Sequence, residues 1–150
     1  MRHEIGSERA GTGAVTTVEN SEKDVAKYLF AITDDAEYAE AFQGLVTWVN
    51  GFIVPVYVTA RVPSSRFPWC ATWWEHPEAL GRLHSLWLAY TALTADLEEA
   101  GGTGPSMWHR DHLDPIMQQL RAPDGPFAGC MTKPGVVNHV ASQEVAVVEP

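Results

Sequence analysis

The clearest pattern in this chain is a set of apolar residues repeated at helical spacing. The first set follows Asp34, which has Glu37 three positions later, an arrangement typical of a helix N-terminal capping box. Its apolar positions recur at steps of four or three residues: Tyr38, Phe42, Val46, Val49, Ile53 and Val56. Gly51 and Pro55 are expected to end or kink this first helix.

A second helix is predicted from Pro77, because proline suits the first position of a helix. Its apolar side chains keep the same spacing: Leu80, Leu83, Trp87, Tyr90, Leu93 and Leu97. Gly101 and Gly102 are expected to stop it. Glu78 and Arg82 lie four apart in the favourable order, which indicates a solvated flank.

A third, shorter helix is predicted to be capped by Ser106, and Asp114 is expected to restart it toward Leu120. The segment 62–68, between the first two helices, contains two prolines and is predicted to be a loop. Helices with apolar stripes of this kind pack against one another and so bury the stripes. The pattern therefore predicts an all-α fold, a small bundle of three to four helices with a Trp-rich loop and disordered N- and C-terminal tails.

The division of the chain follows from where the apolar periodicity is found. Residues 1–24 are rich in Gly, Ser, Thr, Glu and Lys without such periodicity, and are predicted to be a disordered acidic arm. Residues 25–131 are predicted to form a single helical domain, and residues 132–150 a flexible tail. A chain of 150 residues with 45% apolar content can build one such core.

The uncharged stretch 41–60 approaches the roughly 20 residues that a membrane-spanning helix requires. Polar positions recur on one face of it: Gln43, Thr47, Asn50 and Gly51. Pro55 would also leave a carbonyl group unpaired in lipid. An amphipathic helix packed against the same protein is therefore the preferred interpretation, and no membrane association is expected.

Two cysteines are too few for a secreted disulfide framework, and the N-terminus lacks an apolar signal run, so the expected location is cytoplasmic.

The net charge of the chain limits which class of macromolecule it can bind. The formal net charge is −9, and only ten Lys and Arg residues are present, so nucleic acid is not expected to be bound through phosphate contacts. Three tryptophans crowd into the sequence FPWCATWWEHPE: Trp69, Trp73 and Trp74. Because a small core does not readily bury all three, they are the candidate interaction patch for a protein partner.

Cysteine and histidine suggest a metal site. Cys70, His76, His112 and Cys130 would supply two thiolates and two imidazoles, which suit tetrahedral zinc. Their spacing differs from that of known zinc motifs, which usually begin with a tight pair of ligands. The alternative is that both cysteines are buried apolar thiols and that His76 caps the second helix.

Catalysis has weaker support in the sequence. His76 with Glu78, or His112 with Asp111 and Asp114, could supply a base and a group that orients it. Helix starts collect carboxylates for capping reasons, however, and no nucleophile or oxyanion motif accompanies these residues. No catalytic residue is assigned, and a non-enzymatic role is favoured.

The order of these residues resembles that of an uncharacterised actinobacterial family, domain of unknown function 4913, over residues 38–131. The residues that carry the resemblance are Trp48-Val49, Trp69-Cys70, Trp73-Trp74, His76-Pro77-Glu78, Arg82-Leu83, Leu86-Trp87, Trp108, Asp111-His112, Pro115, Leu120, Gly125-Pro126-Phe127 and Cys130. The resemblance implies a small cytoplasmic protein, often encoded on plasmids, phages or conjugative elements near transfer or replication genes. It implies no catalytic or binding residue.

Three functions remain open from the sequence. The leading hypothesis is a non-enzymatic accessory protein of a mobile element, whose acidic arm and Trp-rich surface contact another protein. The first alternative is a zinc-stabilised domain with a Cys/His site. The second alternative is a nucleic-acid-binding accessory factor in DNA transfer or replication.

Overall fold

The computed structural model describes residues 26–99, 101–133 and 136–150, so the predicted arm 1–24 lies outside the described residues. The described part is mainly helical, which confirms the all-α prediction. Its longer helices are α1 (Asp35–Val58), α2 (Pro77–Thr94) and α3 (residues 104–120). Helix α3 runs through Gly104–Trp108, a wider π-helical turn at His109–Leu113, and Asp114–Leu120. Short 3₁₀ turns occur at Leu29–Ala31 and Trp73–Glu75.

Helix α1 begins where the capping box predicts, because the Asp34 carboxylate accepts a hydrogen bond of 2.9 Å from the Glu37 backbone N–H. It does not end at Gly51 or Pro55. From Val49 to Val58 the helix widens into π-helical turns, and the N–H of Thr59 donates to the carbonyl of Val54, five residues back. Pro55 has no N–H to donate, and the wider turns carry the helix past it.

The length and composition of α1, 24 residues that include an 18-residue window with a mean hydropathy of 1.4, would allow it to cross a membrane, a test that core helices of soluble proteins also pass. One side of α1 faces the protein core, where Leu45, Val49 and Ile53 are fully buried. The opposite side is exposed and carries the polar positions picked out in the sequence: Gln43, Thr47, Asn50 and Gly51. This distribution agrees with the amphipathic interpretation of α1.

Helix α2 begins at Pro77 as predicted but ends at Thr94, before the glycine pair. The start of α3 packs directly on its last turn: a Cβ atom on Gly104 would lie only 1.8 Å from the carbonyl oxygen of Leu93. The chain must therefore leave α2 early to fold back. As a result Leu97, the last member of the predicted stripe, is exposed.

The helices enclose an aromatic core around Trp108, which is buried and donates from its indole N–H to the carbonyl of Leu86 at 3.1 Å. Rings from α1 and α2 pack around it, with Tyr90 at 5.0 Å and Phe52 at 6.2 Å between ring centroids. This core packs against the middle and C-terminal half of α2, whose N-terminal end lies away from it. The candidate site lies at that end.

The chain beyond α3 adds a short β-hairpin. Strands β1 (Met131–Lys133) and β2 (Val136–Asn138) pair antiparallel, with Met131 opposite Asn138. Residues 132–150 are predicted from the sequence to be a flexible tail. In the structure β2 and the residues after it fold back toward the N-terminal end of α2, and Ser142 hydrogen-bonds His76. The hairpin thereby brings a second Cys–His pair to this end of the bundle.

Candidate metal centre

Four side chains from two separate segments converge at the N-terminal end of α2. Cys70 and His76 come from the Trp-rich loop, which lies between α1 and α2, and Cys130 and His139 flank the hairpin. The potential ligand atoms of these four residues all lie within 4.8 Å of one another. Cys70 Sγ is 3.2 Å from His139 Nδ1, and Cys130 Sγ is 3.5 Å from His76 Nε2.

These distances suit a tetrahedral metal ion. Sulfur bound to zinc at about 2.3 Å and nitrogen bound at about 2.0–2.1 Å lie about 3.5 Å apart when the geometry is tetrahedral. The two sulfur–nitrogen distances, 3.2 and 3.5 Å, are close to that edge length. The donor set could therefore hold one metal ion with little rearrangement.

The loop that carries Cys70 and His76 is held in place by its own tryptophans. Trp73 is fully buried and donates from its indole N–H to the side-chain oxygen of Asn50 at 3.0 Å. Trp69 is buried with its ring edge against Phe127, 5.1 Å between centroids. The 3₁₀ turn that starts at Trp73 leads directly to the buried His76, whose N–H donates to the carbonyl of Trp73.

Cys130 is positioned by a tight turn before the hairpin. Its backbone N–H donates to the carbonyl of Phe127 at 2.9 Å. Gly129 has a φ of +84°, in the left-handed region that glycine adopts without strain. Val140 packs against this turn, and its backbone N–H donates to Cys130 Sγ at 3.3 Å.

Each histidine has its second ring nitrogen engaged outside the cluster. His139 Nε2 lies 3.1 Å from the carboxylate of Glu75. His76 Nδ1 lies 3.1 Å from the hydroxyl of Ser142. In metal sites, such outer partners orient the imidazole and determine which nitrogen is free to bind the metal. Here they leave His139 Nδ1 and His76 Nε2 facing the two sulfur atoms.

Without a bound cation, the surroundings of the cluster disfavour the charged forms of its side chains. Burial raises the pKa of the Cys70 thiol and the nearby Cys130 raises it further, whereas hydrogen bonds from the side chain and backbone of Thr72 act in the opposite direction. Burial, followed by the neighbouring His139, lowers the pKa of His76, while Glu75 raises it. Two thiolates this close repel each other, and a bound cation would offset that repulsion. The neutral imidazole favoured at His76 is the form that binds a metal.

The centre is shielded from solvent. Cys70 and His76 are fully buried and Cys130 is 1% exposed, whereas the His139 side chain is about a quarter exposed. The two cysteines are free thiols. Four donors of this kind would complete a tetrahedral coordination shell without a water molecule.

The structure thus brings together Cys70, His76 and Cys130 of the sequence-derived ligand set, and the fourth residue beside them is His139. His112 lies in the π-helical turn of α3, partly exposed and beside Asp111, and is not part of this cluster. Sequence reasoning missed His139 because it follows a Pro- and Gly-containing segment interpreted as tail. A usable signal was present: each cysteine is followed within nine residues by a histidine.

The alternative roles considered for His76 can also be placed. His76 occupies the N-cap position of α2, but its side chain makes no capping hydrogen bond. Glu78, considered as its catalytic partner, pairs instead with Arg82 at 2.9 Å. Likewise Asp111 pairs with Arg110 at 2.8 Å. These carboxylates therefore belong to exposed surface ion pairs.

The three tryptophans of the candidate interaction patch differ in exposure. Trp69 is 2% exposed and Trp73 is fully buried, so both belong to the core. Trp74 remains partly exposed, with its ring edge-on to Trp73 at 5.6 Å between centroids. Of the three, only the side chain of Trp74 is open to a partner in this conformation.

Comparison with known proteins gives a family but no activity. No curated protein and no solved structure matches the chain. One family model matches residues 42–150, a range that contains most of α1, all of α2 and α3, the hairpin and the four residues of the cluster. The match extends past residue 131, where the sequence resemblance stopped, and so includes His139. The chain therefore belongs to the family described as Domain of unknown function (DUF4913).

Proposed function

We propose that Cys70, His76, Cys130 and His139 bind one structural zinc ion, and that the chain is a zinc-stabilised, non-enzymatic domain. The observation that carries this proposal is the convergence of two sulfur and two nitrogen atoms, all within 4.8 Å of one another, from segments far apart in sequence. The outer hydrogen bonds from Glu75 and Ser142 support it, because they orient both imidazoles toward the sulfur atoms.

The donor set favours zinc over other common ions. Calcium and magnesium prefer oxygen ligands, whereas a pair of thiolates with a pair of imidazoles in tetrahedral arrangement is typical of zinc. A catalytic zinc keeps an open position for water or substrate, and a structural zinc is closed by four protein ligands. The burial of Cys70, His76 and Cys130 fits the closed type.

The ion would act as a cross-link between the Trp-rich loop and the hairpin. His76 and Cys130 are separated by 54 positions, and Cys70 and His139 by 69. In a metal-free chain only packing and hydrogen bonds hold these segments together. Metal binding would thus contribute directly to folding free energy.

The test is the metal content of the full chain, purified without a metal-binding tag and measured by inductively coupled plasma mass spectrometry. We expect one zinc per chain in the parent and none in the Cys70→Ser, Cys130→Ser double variant. His112→Asn is the matched control, because it removes a histidine outside the cluster and should keep the zinc. Cobalt substitution should give the absorption of a tetrahedral site with thiolate ligands. A parent that holds no metal and binds neither zinc nor cobalt would refute the proposal.

We further propose that this domain acts by binding another protein. An exposed apolar surface beside the cluster supports this: Val136 and Val137 of β2 are 52% and 63% exposed, and Val140 is 44% exposed. A two-stranded ribbon with exposed valines resembles the edges to which partner strands add. The sequence resemblance adds a setting, an accessory role on an actinobacterial plasmid, phage or conjugative element, in which the partner would be a protein of the same element.

A pull-down against the proteins of such an element would test this second proposal. The Val136→Thr, Val137→Thr variant should lose the partner, whereas Val62→Thr, which changes an exposed valine outside the hairpin, should keep it. Retention of the same partner by both variants would exclude the hairpin as the binding surface. In parallel, labelled DNA is expected to migrate unchanged at low salt, because the chain is acidic. A salt-sensitive shift would instead favour the nucleic-acid alternative.

A further inference from the structure

A cavity of about 420 Å³ lies between the C-terminal end of α1, the loop that follows it, and α3. Its wall includes aromatic and apolar side chains, among them Tyr57 and Phe67, and two arginines, Arg61 and Arg121. The volume falls within the range of about 300–1,000 Å³ that is usual for small-molecule sites. The four residues of the metal cluster are not part of this wall.

Arg121 is the unusual feature of the cavity, because its side chain is fully buried. Its Nε donates to the carbonyl of Pro68 at 3.2 Å, and its Nη2 donates to the carbonyls of Arg61 and Phe67 at 2.8 and 3.0 Å. The guanidinium also stacks over the Phe67 ring at 3.9 Å. The remaining nitrogen, Nη1, is buried and has no hydrogen-bond partner among the described residues.

The charge of this guanidinium is not neutralised. No carboxylate within the described ranges forms an ion pair with Arg121. Burial lowers the pKa of Arg121 to about 10, and the nearby Arg61 acts in the same direction. A buried charge is costly unless a counter-charge and hydrogen bonds compensate it. Three carbonyl groups supply part of that compensation, and an anion would supply the rest.

A hydrogen-bonded pair, Tyr57 and His109, forms another part of the cavity lining. His109 Nδ1 lies 2.7 Å from the carbonyl of Pro105, and since a carbonyl only accepts, Nδ1 must donate. In the neutral ring, His109 Nε2 is then the acceptor for the Tyr57 hydroxyl at 2.8 Å. Burial, with smaller contributions from Tyr90 and Asp114, raises the pKa of Tyr57, so the hydroxyl keeps its proton. Among the residues that line the cavity, Asp114 is the one carboxylate, and it is exposed.

We propose that this cavity binds an anionic small molecule whose carboxylate or phosphate group contacts the guanidinium of Arg121. Nη1 is closed to solvent in this conformation, so the lining side chains would shift to let a ligand oxygen become the acceptor that Nη1 lacks. Guanidinium groups pair well with both oxyanions. The aromatic wall formed by Tyr57 and Phe67 would receive an apolar body of the ligand. Arg61 would add attraction at the mouth of the cavity, and Asp114 would oppose it.

The experiment is isothermal titration of the full chain with three probes: acetate, benzoate and inorganic phosphate. We expect at least one of them to bind. Phosphate alone would identify a phosphate ligand, and benzoate in preference to acetate would identify an organic carboxylate with an apolar body. Benzamide, the neutral analogue of benzoate, should not bind in either case.

Two exposed substitutions test the electrostatic argument without disturbing the core. Arg61→Gln should weaken binding about two- to fivefold, and Asp114→Asn should strengthen it by a similar factor, as expected for partly exposed charges. Arg121→Met should abolish binding, provided that circular dichroism shows the variant folded. Failure of all three anions to bind the parent at millimolar concentration, or equal binding of benzamide and benzoate, would overturn the proposal. Because the cavity shares no residue with the metal cluster, this result is independent of the zinc proposal.

Discussion

Lowering the free zinc concentration is expected to destabilise the domain by an amount that mass action sets. Zinc at the proposed site would bind the folded chain, in which two Cys–His pairs meet, far better than the unfolded chain, in which they are separated. Above the dissociation constant, each tenfold decrease in free zinc then removes about 1.4 kcal/mol from the free energy of unfolding. For a chain of this size that loss lowers the unfolding midpoint by about 3–6 °C.

The total effect should be large. Structural zinc sites have apparent binding free energies of about 10–16 kcal/mol near pH 7, comparable to the whole stability of a typical domain at about 5–15 kcal/mol. Without the ion, the sulfur atoms of Cys70 and Cys130 make weak hydrogen bonds to the surrounding described residues, at 3.2–3.5 Å. The hairpin and the Trp-rich loop should therefore separate before the aromatic core around Trp108 unfolds.

The assay is thermal unfolding followed by circular dichroism in a series of zinc buffers that spans four decades of free zinc. The parent should show the slope derived above. His139→Asn removes one ligand and should shift the onset of zinc stabilisation to concentrations higher by at least tenfold, whereas the matched control His112→Asn should follow the parent. A parent midpoint that does not change with free zinc, or equal behaviour of the two histidine variants, would refute the assigned ligand set.

Further predictions concern the helices and can be checked by denaturant unfolding. His84 accepts a hydrogen bond from the Leu29 backbone N–H at 3.1 Å, and burial lowers its pKa below 6.5. Its contribution to stability should therefore be present above pH 6.5 and be lost as the pH falls through the lowered pKa; His84→Asn, which can still accept, should flatten that dependence. Gly104→Ala should destabilise the protein by about 1–3 kcal/mol or more, because the new Cβ would overlap the carbonyl of Leu93. Gly51→Ala is the control in open space within α1 and should be neutral or stabilise by about 0.5–1 kcal/mol.

Local interactions explain why the starts of α1 and α2 could be predicted from the sequence, whereas α3 begins at Gly104 and not after Ser106, the predicted cap. Asp34 caps α1 through a hydrogen bond to a residue only three positions away in sequence. Pro77 begins α2 because its fixed φ and missing N–H suit the first position of a helix. The i, i+4 pair of Glu78 and Arg82 also forms as predicted. These features depend on residues that are close in sequence, so they can form independently of the tertiary contacts.

The helix ends depended on tertiary contacts. Gly51 and Pro55 were expected to end or kink α1, yet the helix continues through both in wider turns with one side packed on the core. The glycine pair was expected to stop α2, yet the close approach of Gly104 to Leu93 requires an earlier turn. A single stretch of sequence does not reveal what packs against it, and that packing decided both ends.

The helical class, the starts of α1 and α2 and the chemistry of the candidate ligands could be inferred from the sequence, because capping, periodicity and side-chain donors are local properties. Which donors meet depends instead on the tertiary fold. Cys70 and Cys130 come together across the whole of α2 and α3, and His139 rather than His112 lies beside them because the hairpin folds back on the bundle. The burial of Arg121 also results from contacts between segments far apart in sequence. Its three carbonyl acceptors lie 53–60 positions away, so no local sequence pattern could predict that burial.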